Sequence, residues 1–188
     1  MTADAKSLEG IRLIEKTFIF GGTGCAIYEV DTAVHGTVFM RVDKTPHNNE
    51  SRWVVVVDSE KFLAAWQATP GERSDIARQG PTGWLSDYKI EGAADGFSRG
   101  RDNPVPLALP TVWVAEDGRL NVNFTNGITR TIWLLAAGAR AFPVECRTNM
   151  VNDLYAAAGL PNIPPVTVKE LLADLDWASW IQTQHHCQ

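Results

Sequence analysis

Apolar and polar residues alternate along residues 120–125. Leu120, Val122 and Phe124 fall on one face, and polar side chains fall on the other. A period of two residues predicts a β-strand with one buried face. A second short strand is predicted over 110–115, and the Asp-Gly pair between the two strands indicates a tight turn.

A turn and a short helix are predicted directly after the second of these strands. The dipeptide Asn126-Gly127 favours a turn, and Gly138 marks the end of the helix that follows it. An apolar stretch then runs over residues 142–146. The strand, the turn and the helix therefore form one local unit.

Patterns elsewhere predict a single mixed domain. A β-branched run at 53–57 is typical of a buried strand, and Thr167 with Glu170 has the spacing of a capping box. The other expected elements are a hairpin within 17–30, a strand at 38–42, a helix over 58–67 capped by Asp58 or Ser59, a helix ending at Gly159 and capped by Thr148 or Asn149, a last helix over 167–181, and loops at 45–51, 69–83 and 98–106. Residues 1–16 are expected to be frayed or to form a short helix. We therefore expect one α+β domain over residues 1–188, in which a mixed sheet of short strands packs with three or four helices.

The charge balance limits the partners of this domain. The chain has 188 residues, of which 45% are hydrophobic, and its net charge is −5. An acidic molecule does not attract nucleic acid as a whole, so any such contact requires a local basic patch. Seven tryptophans are the one excess in the composition, and most are expected in the core.

The cysteines and the start of the chain favour a cytoplasmic protein. Cys25, Cys146 and Cys187 are odd in number and far apart, which argues against a disulfide framework. The first residues have no apolar run behind a basic patch, as a signal peptide would. No apolar stretch approaches the ~20 residues that cross a bilayer, so no membrane insertion is expected.

Two apparent motifs do not predict sites. The glycines within residues 21–24 lack the Gly-Lys-Ser/Thr ending of a phosphate-binding loop, and no helical pattern follows them, so a hairpin turn is the better interpretation. His185-His186-Cys187 lacks the separated ligand pairs that zinc sites use. No metal site made of protein ligands alone is predicted, although Mg²⁺ bound by one or two carboxylates and substrate phosphates would leave no sequence signal.

The start of the predicted helix after Gly127 combines a cation with free amides. Thr129, Arg130 and Thr131 fall in its first turn. A cation there opposes the helix dipole by a few tenths of a kcal/mol up to about 1 kcal/mol, whereas free backbone N–H groups at a helix start attract anions. Either Arg130 is merely solvated and Gly127 serves only the turn, or an anion such as phosphate binds between the arginine and the amides.

Two arginines in the 98–106 loop are further candidates. Arg99 and Arg101 stand close to Asp102 in that loop. They form either a solvated surface patch or, together with Arg130, one wall of a groove for an anionic ligand.

The strand–turn–helix unit resembles the ParB/sulfiredoxin superfamily. The residues that carry this resemblance are Asn126-Gly127-Ile128-Thr129-Arg130-Thr131, Leu134-Leu135-Ala136-Ala137-Gly138 and Phe142-Pro143-Val144. Within the superfamily, the chain is similar to the plasmid fertility inhibition factors over about residues 50–150. This narrower resemblance rests on Asp87-Tyr88-Lys89, Gly96-Phe97 and Asn103-Pro104-Val105-Pro106-Leu107-Ala108.

The resemblance implies a phosphate site, because the Gly-x-x-Arg turn of the superfamily holds nucleotide phosphates. The implied ligand-binding residues are Asn126, Gly127, Ile128, Thr129, Arg130 and Thr131, extended by Arg99, Arg101 or Lys89. Arg130 and Asp102 are the implied catalytic residues, and Asp102 or Asp87 would position Mg²⁺ or a water molecule. The implied ligands are ATP and DNA without sequence specificity, and the implied activities are ATP hydrolysis and DNA cleavage.

Departures from the superfamily pattern narrow these implications. Ile128 stands where sulfiredoxins have their catalytic cysteine, so reduction of sulfinic acids is not expected. Thr131 replaces an arginine that ParB proteins often have, which weakens the case for the same nucleotide chemistry. About forty residues follow Cys146, too few for the helix-turn-helix domain with which ParB proteins read DNA sequence.

Two functional hypotheses follow from the resemblance. The first is a plasmid-encoded cytoplasmic inhibitor of conjugative DNA transfer through a type IV secretion system. This inhibitor would act on the coupling protein or the transferred nucleoprotein. It would be held at the inner face of the membrane only through such a partner. The alternative is a non-catalytic inhibitor that binds and occludes a secretion component, with Trp177 and Trp180 as anchors.

Overall fold

The strands and helices of the computed structural model combine into an α+β fold, as expected. The structure describes residues 10–19, 22–71 and 74–176. The strands are β1 (Ile11–Ile19), β2 (Thr23–Thr32), β3 (Gly36–Asp43), β4 (Arg52–Asp58), β5 (Val105–Pro106), β6 (Leu109–Val114), β7 (Leu120–Asn126), β8 (Ala141–Arg147) and β9 (Val166–Thr167). The helices are α1 (Ser59–Ala68), α2 (Asp75–Arg78), α3 (Gly80–Trp84), α4 (Ile90–Ser98), α5 (Ile128–Ala136), α6 (Val151–Ala158) and α7 (Val168–Leu171), with a 3₁₀ turn at Asn49–Ser51.

The first sheet has the order β1-β2-β3-β5 and contains the predicted hairpin. The expectation that residues 1–16 are frayed or helical is wrong for Ile11 onward, because β1 pairs with β2 along its length. An ion pair reinforces this pairing, since Arg12 contacts Glu29 on β2. A tertiary partner therefore makes a strand of a segment whose local sequence is polar.

The remaining strands form two further sheets in the described part of the chain, rather than one mixed sheet. β4 lies between β8 and β9, and the buried residues 54–57 confirm the predicted core strand. β6 and β7 form a separate antiparallel pair. Only an isolated bridge between Ala108 and Val144 joins the β5–β6 segment to β8. The β6–β7 pair packs one face against the core, through Val112, Val122 and Phe124, and carries the strand that precedes α5.

Helix α1 agrees with its prediction, whereas the predicted 69–83 loop is wrong. The Asp58 side chain accepts a hydrogen bond from the Lys61 amide and caps α1. The 69–83 segment contains α2 and α3 because tertiary contacts hold it against the core. The Trp84 side chain is buried there, and its Nε1 donates to the Ile76 carbonyl oxygen at 2.6 Å. Residue Ile90 begins a further helix, α4, that the sequence patterns did not predict.

The C-terminal elements are shorter than expected. Helix α6 begins after Met150, which replaces the predicted caps Thr148 and Asn149. The Thr167–Glu170 capping box is confirmed, but α7 ends at Leu171 and the chain is not helical over 172–176. The predicted continuation over 177–181, the anchors Trp177 and Trp180, and the His185–Cys187 tail lie outside the described residues.

Two of the three cysteines lie in the core as free thiols. Cys25 and Cys146 are fully buried, and neither forms a disulfide. Burial raises the pKa of Cys25 to about 11 and that of Cys146 to about 12. In the described ranges, no helix combines the length and the apolar character needed to cross a membrane.

Candidate functional site

Gly127 joins β7 to α5 in a conformation that requires glycine. Its φ is +98°, in the left-handed region. A Cβ atom at this position would lie 2.7 Å from both Cα and Cβ of Ala108, which is too close for a side chain. The turn therefore packs the start of α5 against the segment between β5 and β6.

The first turn of α5 is tied to Gly127 by Thr131. The Thr131 hydroxyl donates to the Gly127 carbonyl oxygen at 2.9 Å, and the Thr131 amide donates to the same oxygen at 3.0 Å. Thr131 is fully buried, so its hydroxyl holds the turn and does not reach solvent. No side chain caps α5, so no cap residue offers an acceptor to the backbone amides at the positive end of the helix dipole.

Arg130 reaches back from α5 to the β5–β6 segment. Its Nη1 donates to the carbonyl oxygens of Pro106 at 2.6 Å and Leu107 at 2.9 Å, and its Nη2 lies 3.5 Å from Oδ1 of Asn126. These acceptors are neutral. Burial lowers the pKa of Arg130, and the nearby charge of Arg41 lowers it further.

Arg130 differs from the other half-buried arginines that the structure describes, which are Arg41 and Arg52. Each of those two has a carboxylate partner, Asp43 at 2.8 Å and Glu145 at 2.6 Å respectively. Within residues 10–19, 22–71 and 74–176, no carboxylate lies within 4.0 Å of Arg130. A partly buried charge without a counter-ion is costly, so this position favours an anionic ligand.

A groove of about 430 Å³ opens at this helix start, and we call it the α5 groove. It is lined by Lys89, Phe124, Thr125, Asn126, Gly127, Ile128, Thr129 and Arg130. Lys89 is fully exposed and comes from the segment just before α4. The lining thus combines two cations, two hydroxyls and a helix start, with no carboxylate among the residues that form it.

The structure places the other predicted residues away from this groove. Arg99 pairs with Asp95 on α4 at 2.6 Å, on the surface. Arg101 donates twice to Glu15 on β1, at 2.6 and 3.0 Å. Asp102 lines a separate hollow of about 450 Å³ together with Glu15 and Arg101. Their predicted roles in phosphate binding and catalysis stay predictions.

The described residues offer little for a metal ion. No group of three or more histidine, cysteine, aspartate or glutamate side chains in those ranges is arranged to hold one. Mg²⁺ prefers carboxylate oxygens and substrate phosphates, and the α5 groove supplies none of the former. The residues present therefore do not form a Mg²⁺ site at the groove.

Sequence reasoning missed the acceptors of Arg130. The carbonyl oxygens of Pro106 and Leu107 are 24 and 23 residues away along the chain. The run 103–108 supports the family resemblance but contains no side-chain pattern that indicates this contact. A backbone carbonyl carries no side-chain signature, so the sequence cannot indicate that it binds an arginine.

Comparisons with known proteins cover most of the described structure. A family model described as plasmid fertility inhibition factor matches residues 54–159, which include most of β4, the α5 groove and α6. A relative from Shigella flexneri named "Protein osa" is 32% identical over 150 residues, which are 77% of this chain and 74% of that protein. A crystal structure of an oncogenic suppression activity protein, titled a plasmid fertility inhibition factor, matches with a TM-score of 0.68 at 26% identity and covers 85% of this chain and 82% of that chain. The wider ParB/sulfiredoxin grouping stays a prediction.

Proposed function

The chain belongs to the plasmid fertility inhibition factor family, and we propose that it inhibits conjugative DNA transfer by binding nucleotide or DNA phosphates in the α5 groove. The proposal includes ATP hydrolysis and DNA cleavage without sequence specificity. It places the protein in the cytoplasm, where the coupling protein of a type IV secretion system or the transferred nucleoprotein is its target.

The unpaired charge of Arg130 carries this proposal. Nη1 is held by two carbonyl oxygens, and the described residues give Nε no acceptor. Nε and the second hydrogen of Nη2 are therefore the donors left for a phosphate oxygen. A phosphate in this place would supply the counter-ion that Arg41 and Arg52 already have.

The rest of the groove supports the same ligand. Backbone amides and the dipole at the start of α5 favour a negative charge, and the Thr129 hydroxyl adds a donor in the same turn. Lys89, from the segment just before α4, supplies a second cation. Catalysis of phosphoryl transfer consists mainly of positioning and charge stabilisation, so the proposed role of Arg130 is to stabilise the charge that develops on the transferred phosphoryl group.

The proposed catalytic carboxylate lies apart from the α5 groove. The proposed catalytic residue Asp102 lies in the hollow with Glu15 and Arg101, and no carboxylate lines the groove. Hydrolysis would thus require a base or a metal from a partner or from a residue outside the described ranges. We therefore assign Mg²⁺ no ligand in the groove.

The test compares ATP binding by Arg130→Ala and Lys89→Ala with that of the wild type. Each variant removes one cation from the groove, and isothermal titration calorimetry should show affinity for a non-hydrolysable ATP analogue reduced at least tenfold. The matched control is Arg140→Ala, which removes an exposed arginine beyond the opposite end of α5 and should bind as the wild type does. Wild-type affinity in both groove variants would refute the site.

Lys89→Ala keeps this test decisive if Arg130→Ala unfolds. Arg130 fastens two carbonyl groups of the β5–β6 segment, so its loss also weakens the fold. Lys89 is exposed and forms no ion pair within 4.0 Å in the described ranges, so its removal should leave the unfolding midpoint unchanged.

A mating assay separates this function from the occluding alternative. If binding in the groove causes inhibition, Lys89→Ala and Arg130→Ala should restore plasmid transfer from donor cells. If both variants fold, fail to bind ATP and still block transfer, the protein acts by occlusion. Nicking of supercoiled plasmid by the purified protein with added Mg²⁺ tests DNA cleavage directly.

A further inference from the structure

Two large aromatic side chains stay exposed on segments that adjoin the α5 groove. Tyr88 is 84% exposed and Trp113 is 42% exposed, whereas Trp66, Trp84 and Trp133 are buried. We propose that Tyr88 and Trp113 are stacking platforms for unpaired bases, so that the polymeric ligand of the groove is a single-stranded nucleic acid. This inference rests on the phosphate site proposed above and specifies its ligand.

Tyr88 is linked to the groove through Lys89. The Nζ atom of Lys89 lies 5.0 Å from the centroid of the Tyr88 ring, and Lys89 itself lines the groove. Trp84, four residues earlier, is buried and donates to a backbone carbonyl oxygen. Tyr88 has no such role in the core, so its ring is free to contact a ligand next to a bound phosphate.

Trp113 is linked to the groove through the β6–β7 pair. Thr125 lines the groove, and its hydroxyl lies 3.0 Å from that of Thr111 on β6. Trp113 follows two residues later, on the same face of the strand and about 7 Å further along it. The cross-strand neighbours on this face are Asn123, opposite Thr111, and Asn121, opposite Trp113.

The face that leads from the groove to Trp113 suits nucleotides. Its accessible side chains are Thr111, Trp113, Asn123 and Thr125, beside the buried Asn121, and none of them is charged. Amide and hydroxyl groups can donate to and accept from base edges, and the indole offers a flat surface for a base. Proteins that bind single strands combine a cationic channel with aromatic side chains in this way.

The charges of the protein favour stacking as the main source of affinity. The net charge is −5, and the groove contributes only Lys89 and Arg130. Two phosphate contacts on a single strand predict a shallow salt dependence, with a slope of about −1.4 in log K against log[salt]. A duplex keeps its bases stacked on one another, so it cannot use Tyr88 or Trp113 and must depend on these two cations alone.

The experiment measures fluorescence anisotropy of a labelled ten-nucleotide oligo(dT), of its duplex with oligo(dA), and of oligo(rU). Tyr88→Ala and Trp113→Ala should each weaken binding of oligo(dT) by roughly 5- to 150-fold, because stacking on one aromatic residue contributes that much per base. Tyr88→Phe and Trp113→Phe keep a ring and should bind nearly as the wild type does. Leu85→Ala removes another exposed apolar side chain near Tyr88 and should have no effect.

The outcomes separate this inference from the phosphate site itself. If Lys89→Ala weakens ATP binding while Tyr88→Ala and Trp113→Ala bind oligo(dT) as the wild type does, the platforms are refuted and the phosphate site stands. If the alanine variants lose oligo(dT) but Lys89→Ala and Arg130→Ala keep ATP, the phosphate site fails and the stacking stands. Duplex binding as tight as oligo(dT) binding also refutes the platforms. Tighter binding of oligo(dT) or oligo(rU) than of the duplex supports them, and comparison of the two oligonucleotides shows which sugar is preferred.

Discussion

Replacing Gly127 by alanine should destabilise the protein more than a left-handed backbone alone would. The positive φ of Gly127 costs an alanine about 1–2 kcal/mol. The added Cβ would also lie 2.7 Å from Ala108, and forcing a methyl group into such a contact costs roughly 1–3 kcal/mol. Together these effects predict a loss of about 2–5 kcal/mol in the free energy of unfolding.

The control for this prediction is Gly118→Ala. Gly118 has a φ of +81°, and its added Cβ would meet no atom within 4 Å. This variant therefore measures the cost of the backbone conformation without the collision, which we expect to be about 1–2 kcal/mol. The difference between the two variants isolates the packing of the α5 turn against Ala108.

The assay is urea unfolding of both variants, followed by far-ultraviolet circular dichroism. The wild type and the two variants should unfold with the same m-value, so that the shifts in midpoint report stability alone. Titration with the ATP analogue then shows whether the displaced turn also loses phosphate. Equal destabilisation by Gly127→Ala and Gly118→Ala would refute the argument that close packing fixes the start of α5.

Two further predictions concern the core. Glu145→Gln should lower the free energy of unfolding by about 2 kcal/mol, because it removes the carboxylate that pairs with Arg52. This loss is smaller than the roughly 3–5 kcal/mol of a fully buried pair, since Arg52 keeps three other hydrogen-bond acceptors. Urea unfolding measures the loss, and a value below about 0.5 kcal/mol would contradict the prediction. In a Cys187→Ser background, thiol titration at pH 8 should find Cys25 and Cys146 protonated and unreactive until denaturant is added. The free energy of unfolding should fall above about pH 9, because the thiols ionise in the unfolded protein and stay protonated in the folded one. Rapid labelling of the native protein would contradict that prediction.

The parts of the fold that the sequence predicts well are those fixed by neighbouring residues. The alternation along β7 and the Asn126-Gly127 dipeptide act within a few residues, and both predicted elements are confirmed. The Thr167–Glu170 capping box is confirmed for the same reason, since its two hydrogen bonds join residues three positions apart.

The parts that were missed depend on distant contacts. Arg101 appeared available for a phosphate because Glu15, its partner, lies 86 residues away in a segment that was expected to be frayed. The glycine- and proline-containing stretch of α2 and α3 reads as a loop, yet the burial of Trp84 makes it helical. Periodicity reports which face of an element is apolar but does not identify the element that covers it.

The same distinction explains how an acidic chain can concentrate positive charge at the proposed phosphate site. The segment 104–107 is held by two arginines, because Arg41 donates to the Pro104 carbonyl oxygen and Arg130 donates to those of Pro106 and Leu107. Both side chains are partly buried and repel each other, and only Arg41 has a carboxylate beside it in the described ranges. The fold therefore concentrates an uncompensated positive charge at one helix start, although the molecule as a whole is negative. Because Arg130 also fastens the carbonyl groups of Pro106 and Leu107, binding of a phosphate should hold the start of α5 more firmly against the β5–β6 segment as well as neutralise the charge.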